Sequence, residues 1–188
     1  MTHRCRSRSA ALVLAAAALA AAAPPARAAT PDREAKQRDW FTNTALVTQR
    51  GEQVRFYEDV LKDHVVVIQF IFTRCPDACP LLTQKLVQTR AAMGGDLGER
   101  VRFVSISVDP KHDGPAELAA FAAKQGSAVP GWIYLCGKKE NVDLVVKRLG
   151  QYVEAPEDHA TLFIAGNART NHWLRIRPDA PAAVIARQ

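Results

Sequence analysis

Two cysteines, Cys75 and Cys79, stand four residues apart in the stretch FIFTRCPDACPLL, and a proline follows each at once. Thiols at this spacing support three kinds of chemistry. Folded into a turn, four residues bring two Cα atoms to roughly 6 Å, which a disulfide accepts. The pair can instead cycle between dithiol and disulfide and pass electrons. Two thiolates can also face one soft metal ion. A purely stabilising disulfide is the poorest use of the pair, because so small a loop gains little chain entropy on closure.

The prolines say where the pair sits. Each disfavours helical backbone at the cysteine before it, while Pro80 is suited to opening a helix. Cys79 is therefore expected at or near a helix N-terminus, where unpaired N–H groups and the helix dipole would hold its thiol below the free value of ~8.5. Asp77 between the cysteines is placed to cap that helix.

A metal site needs a third ligand, and the histidines available are His64, His112, His159 and His172. His64 precedes the strand that leads to the cysteines and belongs at the opposite end of the sheet. His112 follows Asp109-Pro110 at another strand end and is compatible with the site. His159 directly precedes ATLFIAG; if that strand runs antiparallel to the central ones, its start returns to the edge that holds the cysteines. Spacing leaves the choice open.

The elements that must position these residues alternate. GEQVRFYEDV suits a short strand or hairpin. HVVVIQFIF is continuous and β-branched, as a strand buried on both faces is. PLLTQKLVQTRAAM reads as a helix ended by Gly94-Gly95, and VRFVSISV, from Val101 to Val108, as a second central strand stopped by Asp109-Pro110. PAELAAFAAKQG is a short helix with proline in its first turn and glycine at its end. GWIYLCG reads as a strand, KENVDLVVKRLG as a helix closed by Gly150, and ATLFIAG with HWLRIRP as a final hairpin. This order gives an α/β domain with a mixed central sheet flanked by helices. In such sheets chemistry collects beyond the carboxyl ends of the parallel strands, which is where Cys75 and Cys79 fall. Trp40, Trp132 and Trp173 are expected as core or half-buried packing residues.

Composition bounds the rest. Residues 1–28 carry a basic head, an unbroken apolar stretch from Ala10 to Ala23 and the small-x-small end Ala26-Arg27-Ala28, the pattern of an export signal. The apolar stretch is shorter than the ~20 residues a spanning helix needs, so cleavage before Ala29 is expected in preference to retention as an anchor. The mature protein would then be exported and periplasmic. Losing residues 1–28 removes Arg4, Arg6, Arg8 and Arg27 and no acid, so the formal charge falls from +6 to +2. With no Lys/Arg block and no aromatic-basic interleaving in what remains, nucleic acid is not an expected partner. Residues 29–45 read as a flexible lead-in and 46–188 as one domain. Three cysteines remain after Cys5 departs with the signal, too few for a disulfide scaffold. Cys136, the odd one, reads as a buried small residue at a strand end, with an intermolecular or resolving role as the alternative.

These residues resemble the Sco/SenC group, thioredoxin-fold copper chaperones of cytochrome oxidase assembly. The likeness covers roughly Leu46 to Arg177 and rests on FIFTRCPDACP, VSISVDPKHDGP, GWIYLCG and DHATLFIAG. It implies a single thioredoxin-like domain in which Cys75 and Cys79 are redox-active, copper-binding thiols and His159 is the third ligand. Two soft thiolates and an imidazole suit Cu(I), or Cu(II) in a tetragonal setting, and three ligands leave a position open for handing the ion on. Structural zinc sites usually close with four ligands. The implied partners are a copper-receiving oxidase subunit or other copper protein, in or at a membrane, and a thiol reductant. The alternatives are a thiol-disulfide oxidoreductase that reduces a partner's cysteines before metallation, and a redox or copper sensor. Peroxide reduction at Cys75 assisted by Arg74 is disfavoured by the second prolyl-cysteine. The chain departs from the family pattern at Gly114, where threonine is usual, at Cys136, also usually threonine, and in the turn IAGNART.

Overall fold

A computed structural model describes residues 31–94, 98 and 100–188. The export signal expected over residues 1–28 lies outside them. Among the described residues no helix is long and apolar enough to cross a membrane.

The sheet forms around the most apolar segment of the chain. Strand β3 (Val65–Ile71) is buried along all but its first residue, and Ile68 and Ile71 are fully enclosed. Burying such a side chain is worth ~1.5–3 kcal/mol, which fixes this segment at the centre of the fold. It pairs in parallel with β4 (Val101–Ser107), which pairs in parallel with β5 (Trp132–Cys136). β1 (Ala45–Thr48) with β2 (Gln53–Arg55), and β6 (Phe163–Asn167) with β7 (His172–Ile176), add antiparallel hairpins at the two sides. The order is β2-β1-β5-β4-β3-β6-β7.

The crossover helices α2 (Ala78–Ala92) and α3 (Pro115–Lys124) join β3 to β4 and β4 to β5. Two right-handed crossovers that step the same way across a sheet put both helices on one face. There Leu82, Leu86, Leu118 and Phe121 pack with Phe103, Trp132 and the three cysteines, joined by the short C-terminal α5 (Ala182–Ile185). The other face carries α1 (Pro31–Phe41), a turn of π-helix (Phe56–Leu61) and α4 (Lys139–Arg148), packed on Leu46, Ile68, Phe70 and Val104. The result is a mixed seven-stranded sheet between two helical layers in one domain.

Three expectations need correction. Residues 31–41, read as part of a flexible lead-in, form α1. Pro31 opens it, Asp32 and Glu34 lie in its first turn and Arg38 in its last, an arrangement that suits the helix dipole. Trp40 is no core residue: it is 60% exposed on that helix, whereas Trp132 is buried and Trp173 half-buried against Phe41. The sixth strand begins at Phe163 and not at Ala160, because a 3-10 turn (Pro156–Asp158) and an irregular stretch precede it.

Candidate metal centre

β3 ends at Ile71, and the chain leaves the carboxyl edge of the sheet through Phe72–Asp77 before α2 begins. Cys75 lies in this loop and is 9% exposed; Cys79 is the second residue of α2 and fully buried. The loop is fastened from the neighbouring strand end. Asp113, itself buried, accepts hydrogen bonds from the Thr73 backbone N–H (3.0 Å), the Thr73 hydroxyl and the Ser107 hydroxyl (2.6 Å). Nearby, the Asp109 carboxylate accepts from Arg74 (3.1 Å) and from Nδ1 of His112 (2.8 Å), and its pKa is held down by these two neighbours against the opposing effect of burial.

Helix α2 starts two residues earlier than Pro80 suggested. Pro80 is tolerated at the third position because its missing N–H would have no intrahelical partner. Asp77 occupies the cap position but makes no side-chain capping bond. The N–H of Cys79 instead donates to the sulfur of Cys75 at 3.2 Å. The Cys79 thiol does not point outward into the helix-terminus field; it turns inward, and burial, reinforced by a hydrogen bond with Cys75, pushes it up to about 12. This reverses the expected depression of its pKa.

His159 arrives from the far end of the chain. β6 runs antiparallel to β3 with Ile164 opposite Ile68, so the residues before β6 return to the carboxyl edge. There His159 is 7% exposed, its Nε2 3.7 Å from the Cys79 sulfur and 3.1 Å from the Phe70 carbonyl oxygen, with the Phe72 ring set edgewise against the imidazole. Burial pushes its pKa down, which favours the neutral, ligating form. A carbonyl only accepts, so Nε2 carries the proton in this arrangement, and the lone pair falls on Nδ1, a buried atom with no hydrogen-bond partner.

Two ligands of one tetrahedral ion, with bonds of ~2.3 Å to sulfur and ~2.0 Å to nitrogen, stand about 3.5 Å apart, close to the spacing of Cys79 and His159. The donor set of two thiols and one imidazole is soft and fits copper better than a hard cation. As placed, the three groups do not close on a common point: among the described residues no trio of His, Cys, Asp or Glu is gathered tightly enough to hold an ion. Cys79 and His159 form a half-site that becomes ligating once the Nε2 proton moves to Nδ1, and Cys75 faces the helix N–H beside it.

The other histidines lie elsewhere. His64 sits at the opposite end of the sheet, between the Lys62 carbonyl and Arg102. His172 begins β7 at that same far end, opposite Asn167. His112 reaches the functional edge but is held by Asp109. Cys136 ends β5, buried, its S–H directed at the Val47 carbonyl at 3.6 Å. The fastening role of Asp113 escaped sequence reasoning; its signal was a carboxylate placed just after the SVDP strand end and before Gly114-Pro115.

Residues 32–173 match the SCO1/SenC family. The chain belongs to that family. The SCO1 protein homolog of Bacillus subtilis is 32% identical over 111 residues, covering 58% of this chain and 56% of the relative. ScoI of Bradyrhizobium japonicum, solved with copper bound, superposes with a TM-score of 0.64 at 24% identity, over 76% of this chain and 92% of that one. BsSco, described as a member of the Sco family of cytochrome c oxidase assembly proteins with a disulfide switch, gives 0.65 at 24% identity, over 78% and 89%. These two likenesses establish the shared thioredoxin-like fold. The chain spans about half the length of the curated relatives it matches.

Proposed function

We propose that this SCO1/SenC protein binds copper through Cys75, Cys79 and His159 and delivers it, in the exported compartment, to the copper-receiving subunit of a cytochrome oxidase. The observation that carries the reading is His159, brought from a distant segment so that its Nε2 stands 3.7 Å from the Cys79 sulfur, with a buried, unpartnered Nδ1 free to take the proton that Nε2 must give up to ligate. Binding replaces the thiol protons by the metal, so uptake releases protons and strengthens as pH rises. Three protein ligands leave one position through which a partner's ligand can enter and draw the ion away.

The surroundings suit such a transfer. Leu81, two residues beyond Cys79, is 70% exposed, an apolar side chain beside the site that a docking partner can cover. On the other side a groove lined by Arg74, Pro76, Phe121 and Lys124 opens onto Cys75. That groove also favours a second reading, in which the pair works as a thiol-disulfide oxidoreductase: the Cys75 thiolate attacks a partner disulfide, one partner sulfur leaves as thiolate, and Cys79 attacks Cys75 in the mixed disulfide, releasing the reduced partner and leaving a Cys75–Cys79 disulfide that a thiol reductant reopens. Thiol reduction and copper loading are then two uses of one dithiol, because only the reduced pair binds metal.

The deciding experiment is copper titration of the reduced protein beside its His159→Ala variant. The expected result is one copper per chain in the unaltered protein and a loss of affinity of at least about a hundredfold in the variant, with Cys75 and Cys79 still able to form and break their disulfide. Equal affinity in both removes the copper reading. Fast turnover of disulfide substrates, with no copper retained, selects the oxidoreductase.

A further inference from the structure

β3 is a run of valine, isoleucine and phenylalanine broken once, by Gln69, which is fully buried. A polar amide in such a strand is costly unless every group it carries is used. Its Nε2 donates to the Thr83 hydroxyl oxygen (3.2 Å) on α2 and to the Ser105 hydroxyl oxygen (2.8 Å) on β4, and Trp132 Nε1 on β5 donates to the same Ser105 oxygen at 2.9 Å. Thr83 passes the connection on: its hydroxyl donates to the carbonyl oxygen of Cys79 at 2.8 Å. Since that hydrogen is committed, Thr83 can only accept from Gln69, which fixes the amide orientation and leaves Gln69 Oε1 buried without a partner. A threonine hydroxyl bonded to the carbonyl four residues back is ordinary in helices. Here, however, it ends a continuous buried chain that ties three parallel strands to the backbone of one cysteine. Cys75 is held less directly: Asp113 and Asp109 fasten Thr73 and Arg74 ahead of it, and its own N–H donates to the Phe72 carbonyl oxygen at 3.1 Å, but no side-chain chain from the sheet reaches its carbonyl among the described residues. Its neighbours Arg74, Pro76 and Asp77 are exposed, and its loop has no regular structure.

We propose that Gln69 and Thr83 are positioning residues that pin Cys79 to the sheet, facing His159, so that the Cys75 loop makes the movement that closing a disulfide or wrapping an ion requires. The affinity part of this proposal rests on the copper reading; the dithiol part does not. Pinning favours the reduced pair, because the Cys75 loop, itself fastened at Thr73 and Arg74, must supply the closing movement alone and Cys79 cannot share it. Loosening it weakens the preformed Cys79–His159 half-site and makes the disulfide easier to form.

The test uses the full chain with Thr83→Val, which keeps shape and loses the hydroxyl, Thr83→Ser, which keeps the hydroxyl, and Gln69→Leu. Cu(I) affinity is read by competition with a chromophoric chelator, and the Cys75–Cys79 midpoint potential in glutathione buffers. Thr83→Val is expected to lose about tenfold in Cu(I) affinity. Its disulfide should become about tenfold more stable, a potential more negative by ~30 mV for this two-electron couple. Gln69→Leu should move both readouts the same way, and Thr83→Ser should match the unaltered protein. An unchanged or more positive potential in Thr83→Val overturns the proposal, as does a Thr83→Ser variant as impaired as Thr83→Val. If Gln69→Leu does not fold, the Thr83 pair decides. If the unaltered protein binds no Cu(I) but the potentials shift as stated, the copper reading fails and the positioning role stands.

Discussion

Two buried thiols stand at the carboxyl edge of the same sheet, Cys79 just beyond β3 and Cys136 at the end of β5, and they meet different fates. Burial raises both, to about 12 and about 11. Cys79 faces an imidazole; Cys136 faces the carbonyl of Val47. The difference lies in which antiparallel strand enters alongside. β6, next to β3, is preceded by the turn that brings His159, whereas β1, next to β5, is preceded by Thr42–Asn43–Thr44, which carries no ligating nitrogen. A thiol at the chemically favoured edge is therefore not enough. The site is made by the neighbour that returns to it.

The comparison can be broken most severely at Asp113, which lies between the two thiols and contributes a charge that raises the pKa of each. Asp113→Ala leaves the Thr73 N–H and the Thr73 and Ser107 hydroxyls without their acceptor, and an expected loss of about 3 kcal/mol in unfolding free energy, read by chemical denaturation, measures that fastening. The loosened loop should also react faster with alkylating reagents at Cys75.

A milder test uses pH. Burial holds Cys79, Cys136 and Tyr134 neutral in the folded state, the thiols from an ordinary 9.0 to about 12 and about 11, the phenol from 10.0 to about 12. Folded pKa values above the unfolded ones mean that the unfolded chain loses its protons first. The stabilisation is complete below about pH 9 and is lost as pH rises from there toward 12. Denaturation midpoints of the reduced, metal-free protein should fall across that window, and a flat profile would show that these groups are solvated. The smallest effect belongs to Cys136→Ala, which should cost about 1 kcal/mol of stability, reduce the alkaline slope and leave copper affinity unchanged. A drop in affinity would erase the distinction between the two thiols.

Much of this arrangement is legible in the chain. The parallel strands announce themselves as β-branched runs, and α3 and α4 are bounded by Pro115 and by Gly126 and Gly150, which take positive φ values of 67° and 69° where the helices end. His159 could be placed near the cysteines because an antiparallel return dictates which end of the sheet a strand start reaches. Other features were hidden for physical reasons. PDREAKQRDWF buries only Gln37 and Phe41, too few apolar contacts to show as a helical stripe. The direction of the Cys79 pKa depended on which way a side chain in the first helical turn points, which the two-residue displacement of the helix start decides. Gln69 was visible as a lone amide in an apolar strand, yet its two partners sit on α2 and β4, and no local pattern links them.

Cys79 and His159 are 80 positions apart. Contacts of such long range form late, after the loop-closure entropy of the intervening chain has been overcome. Until the C-terminal hairpin seats against β3, a nascent chain offers only a bare dithiol, open to oxidation and poor at retaining an ion. On the copper reading proposed above, retention of the ion would then report that folding has finished.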